Sequence, residues 1–452
     1  MGGMRALLIS TYDLGRQPFG LASPAAWLRA AGVEVACADA SRDPVADEQL
    51  AHATVIAFYL PMHTATRLAL PIIDRARRVN PSARLIAYGL YAPLNAAWLR
   101  ERGISEVLGP EAEEALVNLV KPQGARHTTE GLPRLRFIAP DREGLPALDR
   151  YASLRMPDGS RRVAGSTDAT RGCKHHCRHC PVVPVYEGQF RVVPLDVVMA
   201  DVRAQVAAGA EHISFGDPDF LNAPTHARRL IERLSAEFSG LSYDVTIKIE
   251  HLLRHVEMIP KLRDTGCLFV TSAVETIDDA VLARLRKGHT RRHFVEAAGL
   301  CRDARVTLVP TFIPFTPWTT LEGYVELLDV LEAMELVEQV APIQLAIRLL
   351  VTAGSSLLEL EDIRKVVSPY DAASLTWPWR HDDARVDALQ SGVMQVVAAG
   401  AAMPRSDTFA AISALARSHA GLPPRPRQAA AGALVPCLSE PWYCCAEPME
   451  LV

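Results

Sequence analysis

Short apolar runs alternate with longer amphipathic stretches along most of this chain, and that alternation sets the expected architecture. In the first 120 residues, Arg5–Ser10, Val33–Ala38, Thr54–Leu60, Arg84–Tyr88 and Glu106–Leu108 have the length and composition of strands. Between them, Pro24–Ala31, Ala65–Val79, Ala92–Arg102 and Glu113–Val120 read as helices. Such βα alternation predicts an open, mainly parallel sheet of the doubly wound, Rossmann-like kind, because parallel strands are joined by crossover helices that cover both faces. From Lys121 to Gly165 the rhythm is lost in a stretch rich in Pro, Gly and Arg. We therefore expect a first domain over 1–125 and a linker over 126–165.

The rhythm resumes at Ser166. The expected strands are Ser166–Thr170, His212–Phe215, Asp244–Ile249, Leu268–Ala273, Thr307–Phe312 and Ile343–Leu349. The expected helices are Leu195–Ala208, Thr225–Phe238, Val256–Asp264, Asp278–Arg286, Arg292–Asp303 and Leu321–Met334. An eight-stranded barrel takes ~250 residues, so six repeats over 166–352 predict a partial (βα)6 barrel. Residues 353–452 turn mainly helical and end in a Pro- and Cys-rich tail without a period.

Composition narrows the function classes. The chain has 452 residues, 49% hydrophobic and 22% charged, enough apolar surface for several buried cores. Lys+Arg 48 against Asp+Glu 52 leaves −4, which does not point to nucleic acid or an anionic membrane as partner. Met1–Ser10 lacks the apolar core of a signal peptide and no 18-residue uncharged run occurs, so neither secretion nor membrane spanning is expected. Nine cysteines, odd in number and unevenly placed, argue against a disulfide framework and for a reducing cytoplasm.

The densest chemical signal is Cys173-Lys-His-His-Cys177-Arg-His-Cys180, directly after an expected strand. Three thiolates on a short loop suit a soft metal centre. A cubane iron–sulfur cluster held by three protein ligands keeps one iron open; zinc with His175, His176 or His179 as fourth ligand is the alternative. This loop resembles that of the radical SAM superfamily, C-x3-C-x2-C after the first strand of a partial (βα)6 barrel. The resemblance spans about Ser166 to Thr352. It implies that Cys173, Cys177 and Cys180 hold a [4Fe–4S] cluster and that the fourth iron chelates S-adenosylmethionine (SAM). It also implies that His179 stands where the family usually has an aromatic residue against adenine. Phe215-Gly216-Asp217-Pro218-Asp219 falls where the family supports the SAM amino group, Glu275 where it often has a polar group near the ribose, and Arg348 where a cation could meet the SAM carboxylate. Read without the resemblance, Asp217 and Asp219 are also ordinary caps of a turn or helix, and Arg348 an ordinary structural arginine.

Residues 4–120 resemble the cobalamin-binding-type domain that precedes many radical SAM barrels, through Gly20-Leu-Ala-Ser-Pro-Ala-Ala-Trp27 and Asn80-Pro-Ser-Ala-Arg-Leu-Ile-Ala-Tyr88-Gly89. The Asp-x-His-x-x-Gly signature of a lower histidine ligand is replaced by Thr11-Tyr-Asp13-Leu-Gly15-Arg16, and cobalamin is not expected.

The tail reads Cys437-Leu-Ser-Glu-Pro-Trp-Tyr-Cys444-Cys445-Ala-Glu-Pro448. Adjacent thiols form a vicinal disulfide, stay incidental, or join Cys437 in presenting three sulfurs to one soft ion such as trivalent arsenic. The ending is similar to the CUAEP/CCAEP-tail subgroup of radical SAM proteins, which includes enzymes of arsinothricin biosynthesis. That resemblance implies transfer of the 3-amino-3-carboxypropyl group of SAM to arsenite held by Cys437, Cys444 and Cys445, with Cys444 and Cys445 catalytic. The products would be hydroxyarsinothricin and methylthioadenosine, and the electron donor a flavodoxin or ferredoxin. Two other classes stand beside it: 5′-deoxyadenosyl-radical chemistry on a carbon substrate, including methyl transfer, and a non-enzymatic metalloid sensor. Cys37, Cys267 and Cys301 sit in apolar patterns and read as core residues.

Overall fold

The computed structural model describes residues 4–121, 132–425 and 434–440. In the N-terminal unit, β1 (Arg5–Ser10), β2 (Glu34–Asp39), β3 (Val55–Tyr59), β4 (Arg84–Tyr88) and β5 (Glu106–Val107) form one parallel sheet in the order β2-β1-β3-β4-β5. Successive strand residues face opposite sides, and both sides are buried. Leu7, Ile9, Ile56 and Phe58 pack with Ile73 and Trp98 on one side. Ala6, Leu8, Ala57 and Ile86 pack with Leu21, Leu28 and Leu116 on the other. This is the physical reason the strands read as unbroken apolar runs. The helix expected over 92–102 is two short ones, Tyr91–Leu94 and Ala96–Glu101.

The second sheet begins inside the stretch expected to be linker. β6 (Ser153–Arg155) pairs antiparallel with β7 (Arg161–Thr167). Parallel strands β10 (His212–Phe215), β11 (Ser242–Thr246), β12 (Cys267–Glu275) and β13 (Thr307–Phe312) continue the sheet from β7. The first expected barrel strand is broken. Its first half is the end of β7, while β8 (Thr170–Gly172) leaves the sheet and pairs with β9 (Phe190–Val192), enclosing the cysteine loop. The break is held by Asp217, which accepts hydrogen bonds from the Ala169 N–H (2.9 Å) and the Thr170 hydroxyl (2.6 Å).

The sixth expected strand, Ile343–Leu349, is not a strand. Pro342–Leu345 forms a 3-10 turn, and a single parallel bridge joins Phe315 to Arg348. The Phe312 N–H donates to the side-chain oxygen of Gln344 (3.1 Å) instead of to a neighbouring strand, and Pro314 has no N–H to offer. At the opposite edge the sheet gains a strand from the tail: β14 (Cys437–Leu438) pairs antiparallel with β6, Cys437 opposite Arg155. The architecture is therefore a curled half-barrel of five regular parallel strands, extended by two antiparallel ones. Helices Ala384–Ala399 and Arg405–His419 close it, burying Leu389, Val393, Phe409 and Ile412 in the barrel core. Among the described residues no helix is long and apolar enough to cross a membrane.

Buried polar contacts join the two units. Arg171, on β8, donates to Glu111 (3.2 Å), Glu113 (2.6 Å) and Ser23 (3.0 Å) of the N-terminal domain. Arg142 clamps Asp201 through two 2.9 Å bonds and also reaches Gln17 (2.9 Å). Arg16 extends from the N-terminal domain to Ser214 on β10 (3.1 Å). Removing one partner from a buried charge group strands the others. Arg171→Met should therefore lower stability by ~3–5 kcal/mol, read as a lower midpoint in urea or thermal unfolding. An unchanged midpoint would show that Glu111 and Glu113 are satisfied without it.

Candidate iron–sulfur and SAM site

The hairpin β8–β9 presents Cys173, Cys177 and Cys180 at the C-terminal mouth of the half-barrel, where ligand contacts gather in (βα) architectures. Cys177 is buried and the other two are half-buried. Burial pushes the Cys173 thiol up to about 12, with the neighbouring Cys180 and Cys177 adding to the effect against a hydrogen bond from the His175 backbone. Burial also raises Cys177, opposed by the ammonium groups of Lys287 and Lys248. Lys248 is itself buried, with Nζ 3.8 Å from the Cys177 sulfur. Three soft donors on one short loop, costly to ionise unless a metal takes the charge, with two lysines beside Cys177, fit a [4Fe–4S] cluster with three thiolate ligands.

Next to this loop His179 is buried, with Nε2 3.0 Å from Glu275 Oε1, and Lys287 Nζ lies 3.0 Å from the same oxygen. Burial alone would lift the Glu275 carboxyl, but the Lys287 ammonium and His179 outweigh it and hold it at about 2. Glu275 has φ +69, an uncommon backbone for a side chain of its size, at a register shift that ends β12. Its carboxylate is thereby fixed as an anion at the mouth.

The other expected residues fall as follows. Phe215 turns into the core against Phe220 and Tyr243, leaving only its backbone at the strand end. At Gly216 a Cβ would collide with the Asp168 carboxylate, so the missing side chain is what allows that approach. Asp217 holds the strand break. Arg348 is engaged by Asp387 (2.6 Å) and the Trp379 carbonyl (2.6 Å), with its guanidinium 3.6 Å from the centre of the Trp379 ring. None of those partners belongs to the cysteine loop. Cys437 lines a small cavity inside the half-barrel together with Arg16, Asp244, Thr271, Gln344 and Arg405. Cys444 and Cys445 lie outside the described residues. Lys248, Lys287 and Arg16 were not singled out by sequence. Each is an isolated cation without a spacing signal, brought to the mouth by a different segment.

Residues 168–331 match the Radical SAM superfamily, so the chain carries a radical SAM domain. It is similar to a ribosomal protein uS12 methylthiotransferase (RimO) of Geobacter sulfurreducens, 24% identical over 45% of this chain and 49% of that protein. It thus spans about half the length of that curated relative. Its fold is similar to the cobalamin-dependent SAM radical enzyme OxsB with aqua-cobalamin bound: TM-score 0.67, 13% identity, covering 87% of this chain and 66% of that one. It is also similar to the radical SAM methyltransferase TsrM of Kitasatospora setae with cobalamin and a [4Fe–4S] cluster bound: TM-score 0.58, 18% identity, covering 74% and 71%.

Those two neighbours hold cobalamin, which leans against the expectation that this chain does without it. Local packing here opposes the group. The cavity between the strand ends of the N-terminal sheet and the barrel mouth has a volume of about 170 Å³ and is lined by Gly20, Tyr59, Tyr88, Asp168 and Gly216. The Tyr59 ring lies so close over Gly20 that a Cβ there would collide with it, and the Tyr88 hydroxyl donates to the Gly20 carbonyl (2.8 Å). Ligand pockets for much smaller molecules already take ~300–1,000 Å³. As packed, these residues do not fit a corrin, and no step is derived through one.

Replacing Cys173, Cys177 or Cys180 by Ser should abolish the brown iron–sulfur absorbance and all SAM cleavage; cleavage retained by any of the three would overturn the assignment of that thiol. A second expectation concerns pH. Burial, with Asp168 adding to it, raises Asp217 from 3.8 to about 7 despite its two hydrogen bonds. A carboxyl with a raised folded pKa binds more protons folded than unfolded, so stability falls as pH climbs between about 3.8 and about 7. Thermal midpoints of Asp217→Asn across that window should fall less than those of the parent; parallel curves would contradict the assignment.

Proposed function

We propose that this chain is a radical SAM enzyme that transfers the 3-amino-3-carboxypropyl group of SAM to trivalent arsenic, forming hydroxyarsinothricin and releasing methylthioadenosine. The observation that carries the reading is the seating of Cys437: β14 pairs with β6 and puts this thiol in the wall of the half-barrel whose mouth carries the cysteine loop.

Cys173, Cys177 and Cys180 would hold the cluster, which when bound supplies the electron for reductive cleavage of a sulfonium carbon–sulfur bond. Lys248 and Lys287 offset the negative charge of the thiolates. The His179–Glu275 pair presents a fixed polar edge suited to the SAM nucleoside, and Glu275 remains charged throughout the physiological range. Cys437, Cys444 and Cys445 would hold arsenite as trivalent arsenic prefers, by sulfur. In the polar form the arsenic lone pair attacks and the thioether leaves with the bonding pair; in the radical form the electron spent on breaking the bond is given back by the arsenic(IV) adduct, so no net electron is consumed. The Cγ–S bond of SAM breaks, a C–As bond forms, methylthioadenosine leaves, and arsenic passes from the trivalent to the pentavalent state. A flavodoxin or ferredoxin would be the electron donor.

A second reading, methyl transfer or other 5′-deoxyadenosyl chemistry on a carbon substrate, is favoured by the fold shared with TsrM. The products separate the two. Anaerobic, reconstituted protein with SAM, reductant and arsenite should yield methylthioadenosine in step with an organoarsenical carrying the four-carbon amino acid. Cys444→Ser and Cys445→Ser should keep the cluster and lose at least tenfold in arsenic product. Only 5′-deoxyadenosine, indifferent to arsenite, would overturn the arsenic reading.

A further inference from the structure

Behind the cysteine loop, three side chains from three successive βα connections converge. His175 comes from the loop between Cys173 and Cys177. Asp219 stands just before the 3-10 turn Phe220–Asn222, and His251 lies in the helix Ile249–Arg254 that follows β11. Asp219 Oδ2 is 2.7 Å from His251 Nδ1 and 3.3 Å from His175 Nε2. The ligand atoms of the three residues all lie within 4.8 Å of one another. Asp219 and His251 are wholly buried, while His175 keeps a small solvent-exposed edge.

These approaches are ion-pair contacts in which, against burial, the imidazoles lower the Asp219 carboxyl, but their alignment falls short of a geometric hydrogen bond. His175 Nε2, Asp219 Oδ2 and both ring nitrogens of His251 are buried without any hydrogen-bond partner. Leaving such groups unsatisfied is expensive. The same atoms are gathered within 4.8 Å of one another, close enough to share one ion. An ion with bonds of ~2.0–2.2 Å sets neighbouring ligand atoms roughly 3–3.6 Å apart; His175 Nε2 and Asp219 Oδ2 stand at that spacing, and the 2.7 Å approach of His251 would open slightly around the ion. Two imidazoles and one carboxylate, with solvent on the His175 side, form a donor set used by zinc and ferrous ions alike.

We propose that His175, Asp219 and His251 bind one divalent transition-metal ion, zinc or ferrous iron, with water completing its coordination. This centre differs from the three-thiol set in its donors, since it uses no sulfur, although Asp219 lies close enough to Cys173 to act on its thiol electrostatically. Glu250, whose Oε2 is 3.9 Å from His175 Nδ1, stands next to it. The ion ties the cysteine loop to the connections after β10 and β11. The proposal does not depend on which acceptor the enzyme uses.

Metal analysis of the full-length, anaerobically reconstituted protein tests it. Beside the four cluster irons we expect about one further zinc or iron per chain. X-ray absorption at the zinc edge should show only nitrogen and oxygen ligands; for iron, a high-spin ferrous Mössbauer doublet apart from the cluster signal is expected. His251→Gln should lose that ion and keep the four cluster irons. Zinc with sulfur ligands would mean occupation of the cysteine loop and would overturn the proposal. So would the absence of any extra metal in the parent protein after incubation with zinc or ferrous salt, or an extra ion that persists in His251→Gln. The parent's coordination shell decides the matter even if the variant folds poorly.

Discussion

One buried carboxylate directs the chain at the point on which the site depends. Asp217 takes the Ala169 N–H and the Thr170 hydroxyl that would otherwise continue the first barrel strand. The backbone therefore leaves the sheet at Asp168, pairs with β9 instead, and carries the cysteine loop over the barrel mouth. Three residues past the break, Arg171 enters the acid pair Glu111 and Glu113 of the N-terminal domain. The same short segment thus departs from the sheet, joins the domains and begins the cysteine loop. A buried polar network of this kind works only when every member is satisfied, which couples the loop's position to the packing of both domains.

Charge is arranged around the loop with equal economy. Cys177 is placed beside Lys248 and Lys287, and Lys287 is in turn held by Glu275, which also positions His179. Each buried ion here has an opposite charge in reach, so none bears its full desolvation cost alone. The left-handed backbone at Glu275 is tolerated because two donors fix its carboxylate.

The edges of the half-barrel show how the fold manages an incomplete cylinder. An open strand edge exposes unpaired backbone groups. On the β13 side, the Gln344 side chain and the Phe315–Arg348 bridge cover them; on the β7 side, β6 and then the tail strand β14 do so. Beyond β14 the chain runs toward the N-terminal domain, where Glu440 pairs with Arg42 (3.3 Å) beside Gly15. The tail is built into the sheet and stitched to both domains before its last cysteines.

Period and spacing alone determined the two βα units, most helix spans and the cysteine loop, because apolar alternation and C-x3-C-x2-C are local properties of a chain. His212–Phe215 and Thr307–Phe312 were legible to the residue for the same reason: strong β-formers bounded by turn residues. The sixth barrel strand was misread because its apolar run is indistinguishable locally from a strand. Only the neighbouring Pro314 and the Gln344 side chain decide that the ladder stops. The break at Asp168 was hidden likewise, since the carboxylate that causes it lies 47 and 48 positions away. Lys248, Lys287, and the convergence of His175 with Asp219 and His251, have no sequence signature, because each is assembled from separate connections by the curl of the sheet. Which residues bear chemistry was written in the sequence; which of them meet was decided by the tertiary structure, since charge and coordination act over distances that only folding brings about.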